Sequence, residues 1–294
     1  MTVAVRSERT TIGKRLSRFG QQHPKLKLGG LLTGPVLWLV LAYIGSLAAL
    51  LIAAFWRIDG FTTKLVRNWN LGNFRDLLHT SVYRSITLRT IGAAIAVTMI
   101  CMVIAVPMAF TMAKIMKPNR RRLAVVAILM PLWSSYLVKS YAWRIIFIQG
   151  GVMEWAHLPS PGFGLTATIV LLSYLWLPYM ILPIYAGFER LPNSLLEASA
   201  DLGGKTWRTF RTIILPMIKP SLIAGSIFTF SLTMGDYIAV GIVGGKSQFL
   251  GNTIYAKFGT ANNLPLAAAL STIPVIAMVI YLMTVRRSGA LENL

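Results

Sequence analysis

The sequence predicts an all-α, polytopic membrane protein with six transmembrane helices and both termini inside, on three observations. Of its 294 residues, 55% are hydrophobic and only 13% charged, which is more apolar surface than a water-soluble core of that size buries. The charges are gathered between long uncharged stretches. The basic residues, which outnumber the acids 29 to 9, are distributed unequally between alternate connections.

A helix needs about 20 apolar residues to cross about 30 Å of hydrocarbon. Residues 30–56 supply the first span, with no charge from Gly30 to Trp56. That run is too long for the core of a cleaved signal peptide, so it is expected to remain as an anchor. Residues 86–113 supply the second, uncharged from Ile91 onward. The third, Leu123 to Val138, rises only about 24 Å; it spans if Lys139 snorkels and the helix runs on to Trp143. Residues 165–188, 221–245 and 264–285 complete the set, and among them only Asp236 is acidic. Pro107, Pro131, Pro178, Pro183 and Pro274 lie within spans, where each removes a backbone donor and bends the helix. Residues 1–29 and 289–294 are read as cytoplasmic tails and 189–220 as a long cytoplasmic loop.

Lys and Arg collect in short cytoplasmic loops. With the N-terminus inside, 19 of the 29 basic residues fall on inner segments and 9 on outer ones, with Arg89 at the head of the second span. The charge of +20 is therefore that of a membrane protein. Nucleic-acid binding would need it on one water-soluble face, whereas Lys114, Lys117, Arg120, Arg121 and Arg122 are pressed against two spans.

Other chemistries find no residues. The single Cys101 sits inside a span, so there is no disulfide framework or Cys-rich metal site. His23, His79 and His157 are scattered, without metal-ligand spacing. Gly244-Gly245-Lys246-Ser247 resembles the end of a phosphate loop, but the pattern requires Gly where Val240 stands. These residues read as a turn closing the fifth span. In the outer loop 57–84, Trp69, Leu71, Phe74, Leu77 and Leu78 have the spacing of a short amphipathic helix, lying on the membrane surface or against a delivery protein.

The inner loop 189–220 is patterned. Ser194 with Glu197 three residues on makes a capping box, so a helix is expected to start there. Leu195, Ala198, Ser199 and Leu202 share one face, while Glu197 and Asp201 lie four apart on another. Gly203 and Gly204 supply left-handed positions that end it. Thr206 then caps a second short helix carrying Trp207, Phe210 and Ile214, halted by Pro216. The apolar residues need cover, either from the protein's own helix ends or from a partner.

Glu197-Ala198-Ser199, three residues, Gly203, nine residues, Ile213, one residue and Leu215-Pro216 resemble the signature loop of permease subunits of bacterial binding-protein-dependent ABC importers of type I. Every fixed position is kept except the second Ala, which is Ser199 here. The likeness runs from the second span to Arg287. Ser140-Tyr141-Ala142-Trp143 and Phe230-Ser231-Leu232-Thr233-Met234-Gly235-Asp236-Tyr237 are most similar to the spermidine/putrescine branch. The resemblance implies a type I importer permease fold in the bacterial inner membrane and a chain that is no enzyme. It also implies a second permease subunit, a paralogue in this branch, together with two ATPase subunits that bind ATP and Mg at the cytoplasmic face, and an extracytoplasmic solute-binding protein. The loop would couple ATPase closure to alternating access: Gly203 for the turn, Glu197 and Asp201 for polar docking, with Ala198, Ser199, Ile213, Leu215 and Pro216 completing the motif; the apolar side chains of Trp207 and Phe210 themselves suggest an anchoring role.

An acid in mid-membrane costs roughly 2.5 to 3.5 kcal/mol on insertion scales, so Asp236 should face the bundle interior or a watery cavity. It reads either as a contact for a cationic solute or as an acid bonded to amides freed at a helix break by Gly235. Tyr237 stands beside it. Trp133, Tyr136, Tyr141, Trp143, Tyr174 and Trp176 offer stacking surfaces to a polyamine or form interfacial belts and helix packing. The competing function is a secondary transporter or channel for a small organic cation with no ATPase; it calls for intramembrane ionisable relays or an internal repeat.

Overall fold

The computed structural model describes residues 24–287, with side chains from Leu32 to Arg286. The tail before residue 24 and the C-terminal tail 289–294 lie outside the described residues. The chain divides into two units, Met1–Ala53 and Ala54–Leu294.

In the first unit, α1 (Pro24–Leu39) passes through a π turn, Val40–Gly45, into α2 (Ser46–Ala53). Its run Leu32–Ala53, 22 residues, is long and apolar enough to cross a membrane.

The second unit opens with a hairpin of β1 (Arg57–Ile58) and β2 (Leu65–Val66), antiparallel with Arg57 opposite Val66 and Ile58 opposite Leu65. The amphipathic helix expected in this loop is α3 (Gly72–His79), which carries Phe74, Leu77 and Leu78, whereas Trp69 precedes it and Leu71 stands at its cap. Phe55 gathers Trp69 and Phe74, each at 5.2 Å between ring centroids. Asn73 Nδ2 donates to the carbonyls of Ala54 at 2.8 Å and Trp56 at 2.7 Å, satisfying backbone that the end of the first span leaves open.

Then follow α4 (Ser81–Phe110, extended by the π turn Thr111–Ile115), α5 (Pro118–Trp133), α6 (Tyr136–Phe147), α7 (Val152–Trp155) and α8 (Leu165–Arg190). The signature loop forms α9 (Asn193–Asp201) and α10 (Thr206–Thr209), and a π turn, Phe210–Ile214, leads into α11 (Leu215–Gly235). Last come α12 (Ile238–Val243), α13 (Leu250–Gly259) and α14 (Leu264–Arg287). Besides the first unit's helix, Ser81–Ile115, Leu165–Arg190, Thr206–Gly235 and Leu264–Arg286 are span-length. Helices satisfy their own backbone, the only way an open chain can cross hydrocarbon.

The expected third span is corrected: it is no straight helix to Trp143, but two helices bent by 94° at Ser134–Ser135. Lys139 sits at the elbow itself. Its Nζ donates to Pro131 O at 2.8 Å, and Ser134 Oγ donates to the same carbonyl at 3.1 Å. Both bonds satisfy an acceptor orphaned where α5 stops. The pair nonetheless crosses the bundle. Lys114 ties the end of α4 to Leu191 and Asn193 just past α8, and Arg121 at the start of α5 pairs with Glu189 at 3.6 Å. At the other end, Ser160 Oγ bonds Phe147 O at 2.7 Å and Arg144 bonds Ile242 O at 3.2 Å. The α5–α6 pair thus carries the chain from the signature-loop end to the opposite one.

The fifth span is corrected likewise. Its long helix stops at Gly235, and α12 is a separate short helix after a break at Asp236–Tyr237.

The core lies among α4, α8 and α11, around Val97, Cys101, Leu172, Ile184, Phe188 and Ile218. Helices in lipid gain from close packing more than from apolar burial as such, so small residues mark their contacts. A Cβ on Gly187 would lie 2.3 Å from Ser221 Oγ, and one on Gly225 3.1 Å from Met180 O. These glycines let α8 and α11 approach antiparallel, backbone against backbone.

Candidate functional site

Two places combine functional side chains: the α9–α10 hairpin at one end of the bundle and a cleft at the α11–α12 break.

In the hairpin, Gly203 has φ +71°, a left-handed conformation that L side chains avoid. Its amide donates to Ala200 O at 2.9 Å and that of Gly204 to Ser199 O at 2.8 Å. This is the paired Schellman arrangement ending a helix. Gly204 is not left-handed. It is required because a Cβ there would stand 2.6 Å from Ser199 O. Ser199 Oγ and Thr209 Oγ1 lie 2.7 Å apart and lock α9 to α10. The serine that departs from the motif therefore supplies the inter-helix bond, a role that its sequence position does not reveal.

Three local expectations are corrected. Ser194 does not cap α9; the helix starts two residues earlier than that requires, with Pro192 at the cap position and no capping side chain. Proline's fixed φ pre-sets that entry. Thr206 is likewise inside α10, with Lys205 at its cap and no side-chain bond. Pro216 does not stop the helix, because it falls in the first turn of α11, after the π turn has already shifted the hydrogen-bond register.

Cover for the apolar residues is divided. Leu196 and Phe210 pack against the bundle core. Leu202 and Trp207 remain 89% and 70% exposed, with Trp207 stacked on Phe210 at 5.8 Å. Glu197, Ala198 and Asp201 are exposed as well, and Leu195 is partly so. The hairpin is seated by Lys114, whose Nζ donates to Leu191 O at 2.5 Å and Asn193 Oδ1 at 2.9 Å. No sequence pattern pointed to Lys114, since the partners lie more than seventy residues away.

The cleft measures 320 Å³ and is walled by Tyr136, Trp176, Ser231, Leu232, Asp236 and Tyr237, with Gly235 and Ile238. Asp236 is only 7% exposed. Tyr136 Oη donates to its Oδ2, and the Ala239 amide donates to its Oδ1 at 2.9 Å. The same amide lies 3.2 Å from Tyr136 Oη. The helix-break reading is thus realised: the carboxylate accepts from an amide left free in the first turn of α12, just past the break. The same side chain also lines the cleft. Among the described residues no Lys or Arg forms an ion pair with Asp236, and the ion pair found is Arg121–Glu189. No cationic side chain offsets this buried carboxyl, so it is the acidic group that the cleft presents.

Tyr136 stacks on Trp176 at 5.9 Å, and Tyr237 stacks on Tyr255 at 4.8 Å. Trp176, on whose edge Tyr179 packs, keeps its indole nitrogen buried without a partner. Four expected pathway residues, Asp236, Tyr237, Tyr136 and Trp176, therefore meet at one place. Trp133 does not: it ends α5, 84% exposed, outside the cleft. Tyr174 faces another way, against Trp143 at 5.3 Å. Sequence reading did not single out Ser231, Leu232 or Ile238 as pathway residues, although the first two fall in the segment similar to the spermidine/putrescine branch, because their types carry no signal without the break that exposes them.

Residues 105–288 match the model of the family described as binding-protein-dependent transport system inner membrane component. The chain belongs to this family. It is a permease subunit of an ABC importer, and the family consists of multi-pass membrane permeases, not enzymes. The permease is 39% identical over 313 residues to the inner membrane ABC transporter permease protein YdcU of Escherichia coli K12, covering 100% of this chain and 99% of the relative. It is 30% identical over 267 residues to the spermidine/putrescine transport system permease protein PotB of the same organism, covering 87% of this chain and 95% of the relative. Its fold matches a chain of a bacterial ABC transporter involved in the import of the acidic polysaccharide alginate, with TM-score 0.69 at 13% identity, over 93% of this chain and 99% of that one. It also matches a chain of the MetNI methionine ABC transporter, with TM-score 0.55 at 18% identity, over 69% and 92%.

Proposed function

We propose that the permease forms half of a pathway for a polyamine-like cation such as spermidine or putrescine, driven by ATPase subunits that dock on the α9–α10 hairpin. The observation that carries the solute class is the unpaired, buried Asp236 carboxylate in an aromatic-walled cleft. An ammonium group would be drawn to that carboxylate, and alkyl segments would lie against Tyr136, Trp176 and Tyr237. The spermidine/putrescine permeases among its relatives support the same reading.

Coupling rests on the hairpin. Its inner side is bonded into the bundle, while Leu202, Trp207, Glu197 and Asp201 project from it. A rigid two-helix element transmits displacement where a loose loop would absorb it, and rocking of packed helices suffices for alternating access. Ala198 completes the projecting face. Ser199 and Gly203 hold the two helices in register, and Ile213, Leu215 and Pro216 carry the motion into α11. The hairpin end is rich in Lys and Arg, from Lys114 to Arg122 and from Lys205 to Lys219, which supports a cytoplasmic position. ATP and Mg would be held by the ATPase subunits. A solute-binding protein would dock at the opposite end, and a second permease, a paralogue, would complete the pathway.

The test is uptake of labelled spermidine and putrescine by the assembled transporter in vesicles loaded with ATP. Saturable uptake lost in Asp236→Asn, with ATPase subunits still co-purifying, supports the proposal. Uptake of neutral or anionic solutes, unaffected by that change, refutes the solute class.

A further inference from the structure

Another apolar groove, apart from the cleft, lies between the end of α4 and the start of α5. It has a volume of 410 Å³, with Met108, Met112 and Met116 on one wall and Ala124, Ala127 and Ile128 on the other. Its one hydroxyl, that of Thr111, is already spent on Pro107 O at 2.8 Å, so nothing within the groove asks for a polar ligand. The mouth is different. Five basic residues stand between Lys114 and Arg122, and two of them are committed, Lys114 to the hairpin and Arg121 to Glu189. Arg120 precedes Ala124 by four residues, which puts it on the helix face that carries Ala124, Ala127 and Ile128. Lys117 is the extended residue that caps α5, directly after Met116 of the opposite wall. Arg122 falls on another face. Both Lys117 and Arg120 are exposed, and neither pairs with an acid among the described residues.

We propose that this groove holds an anionic phospholipid, its headgroup phosphate on Lys117 and Arg120 and an acyl chain along the methionine wall. Methionine side chains adapt to an irregular apolar partner. Basic residues at the mouth of a groove between spans fit an anionic headgroup at the membrane surface. The charge argument selects this occupant over a zwitterionic lipid, and the apolar depth selects it over a free anion.

The experiment uses the assembled transporter in nanodiscs of phosphatidylcholine with or without phosphatidylglycerol, then native mass spectrometry of lipid retained after extraction. Wild type is expected to retain phosphatidylglycerol in preference to phosphatidylcholine. The Lys117→Gln/Arg120→Gln variant is expected to bind it roughly fivefold more weakly for each charge removed. Ala127→Trp, which fills the groove and leaves the charges, is expected to lose retention altogether. Equal retention of both lipids, or wild-type retention by both variants, overturns the proposal. Full competition by inorganic phosphate overturns it too, because a free anion would then suffice. ATPase activity of the purified complexes separates loss of lipid from loss of folding.

Discussion

Asp236 carries two duties in one carboxylate, and both are measurable. As a cap it accepts from Tyr136 and from the Ala239 amide; as the acid lining the cleft it is the group proposed to meet the cation. Asp236→Asn keeps the shape and an acceptor but removes the charge, so inserted protein should remain at wild-type levels while cation uptake falls at least tenfold, a change of about 1.4 kcal/mol in transition-state terms. Tyr136→Phe tests the cap. It deprives a buried charged group of one hydrogen bond, worth about 1.5 to 3 kcal/mol, so the purified permease should unfold at lower temperature. Asp236 was legible in the sequence because a lone acid in a span is expensive. Its partner was legible only as one aromatic among six, because Tyr136 is one hundred residues away and nothing local selects it.

The hairpin is an element in the mechanical sense, two helices closed by a turn and one side-chain bond. Gly203→Val should strain the turn, since a left-handed L residue costs roughly 1 to 2 kcal/mol, and should abolish transport while leaving the protein in the membrane. Gly203→Asn should be tolerated far better, because Asn visits that region readily. Transport by Gly203→Val at the wild-type rate would remove the basis for rigid coupling. Glu197→Lys keeps the helix and reverses a projecting charge; the expected outcome is normal insertion with uptake lost and ATPase retention reduced. The existence and order of these helices followed from spacing and glycines. Their caps did not, because Pro192 and the π turn before Pro216 set the boundaries, and π turns have no sequence signature of comparable strength.

For the whole molecule, the sidedness of the bundle can be tested by labelling, aided by the single native Cys101, which is fully buried. Leu202→Cys on the hairpin should react with a membrane-impermeant maleimide only after the cytoplasmic face is opened. Lys246→Cys, exposed beyond α12, should react in intact spheroplasts; the reverse pattern would invert the orientation and place the hairpin out of reach of ATP. By itself the sequence determined that the chain is a helical membrane permease and where its signature motif lies, because uncharged runs, basic loops and a fixed-gap motif are local properties of the chain. Tertiary structure alone decided that the third span is an elbow bent by 94°, that the fifth breaks at Asp236, and that Tyr136, Trp176 and Tyr237 share one cleft while Trp133 and Tyr174 do not. A break in a helix in lipid persists only where distant groups satisfy the backbone it frees, and which groups come within reach is settled by packing, not by sequence spacing.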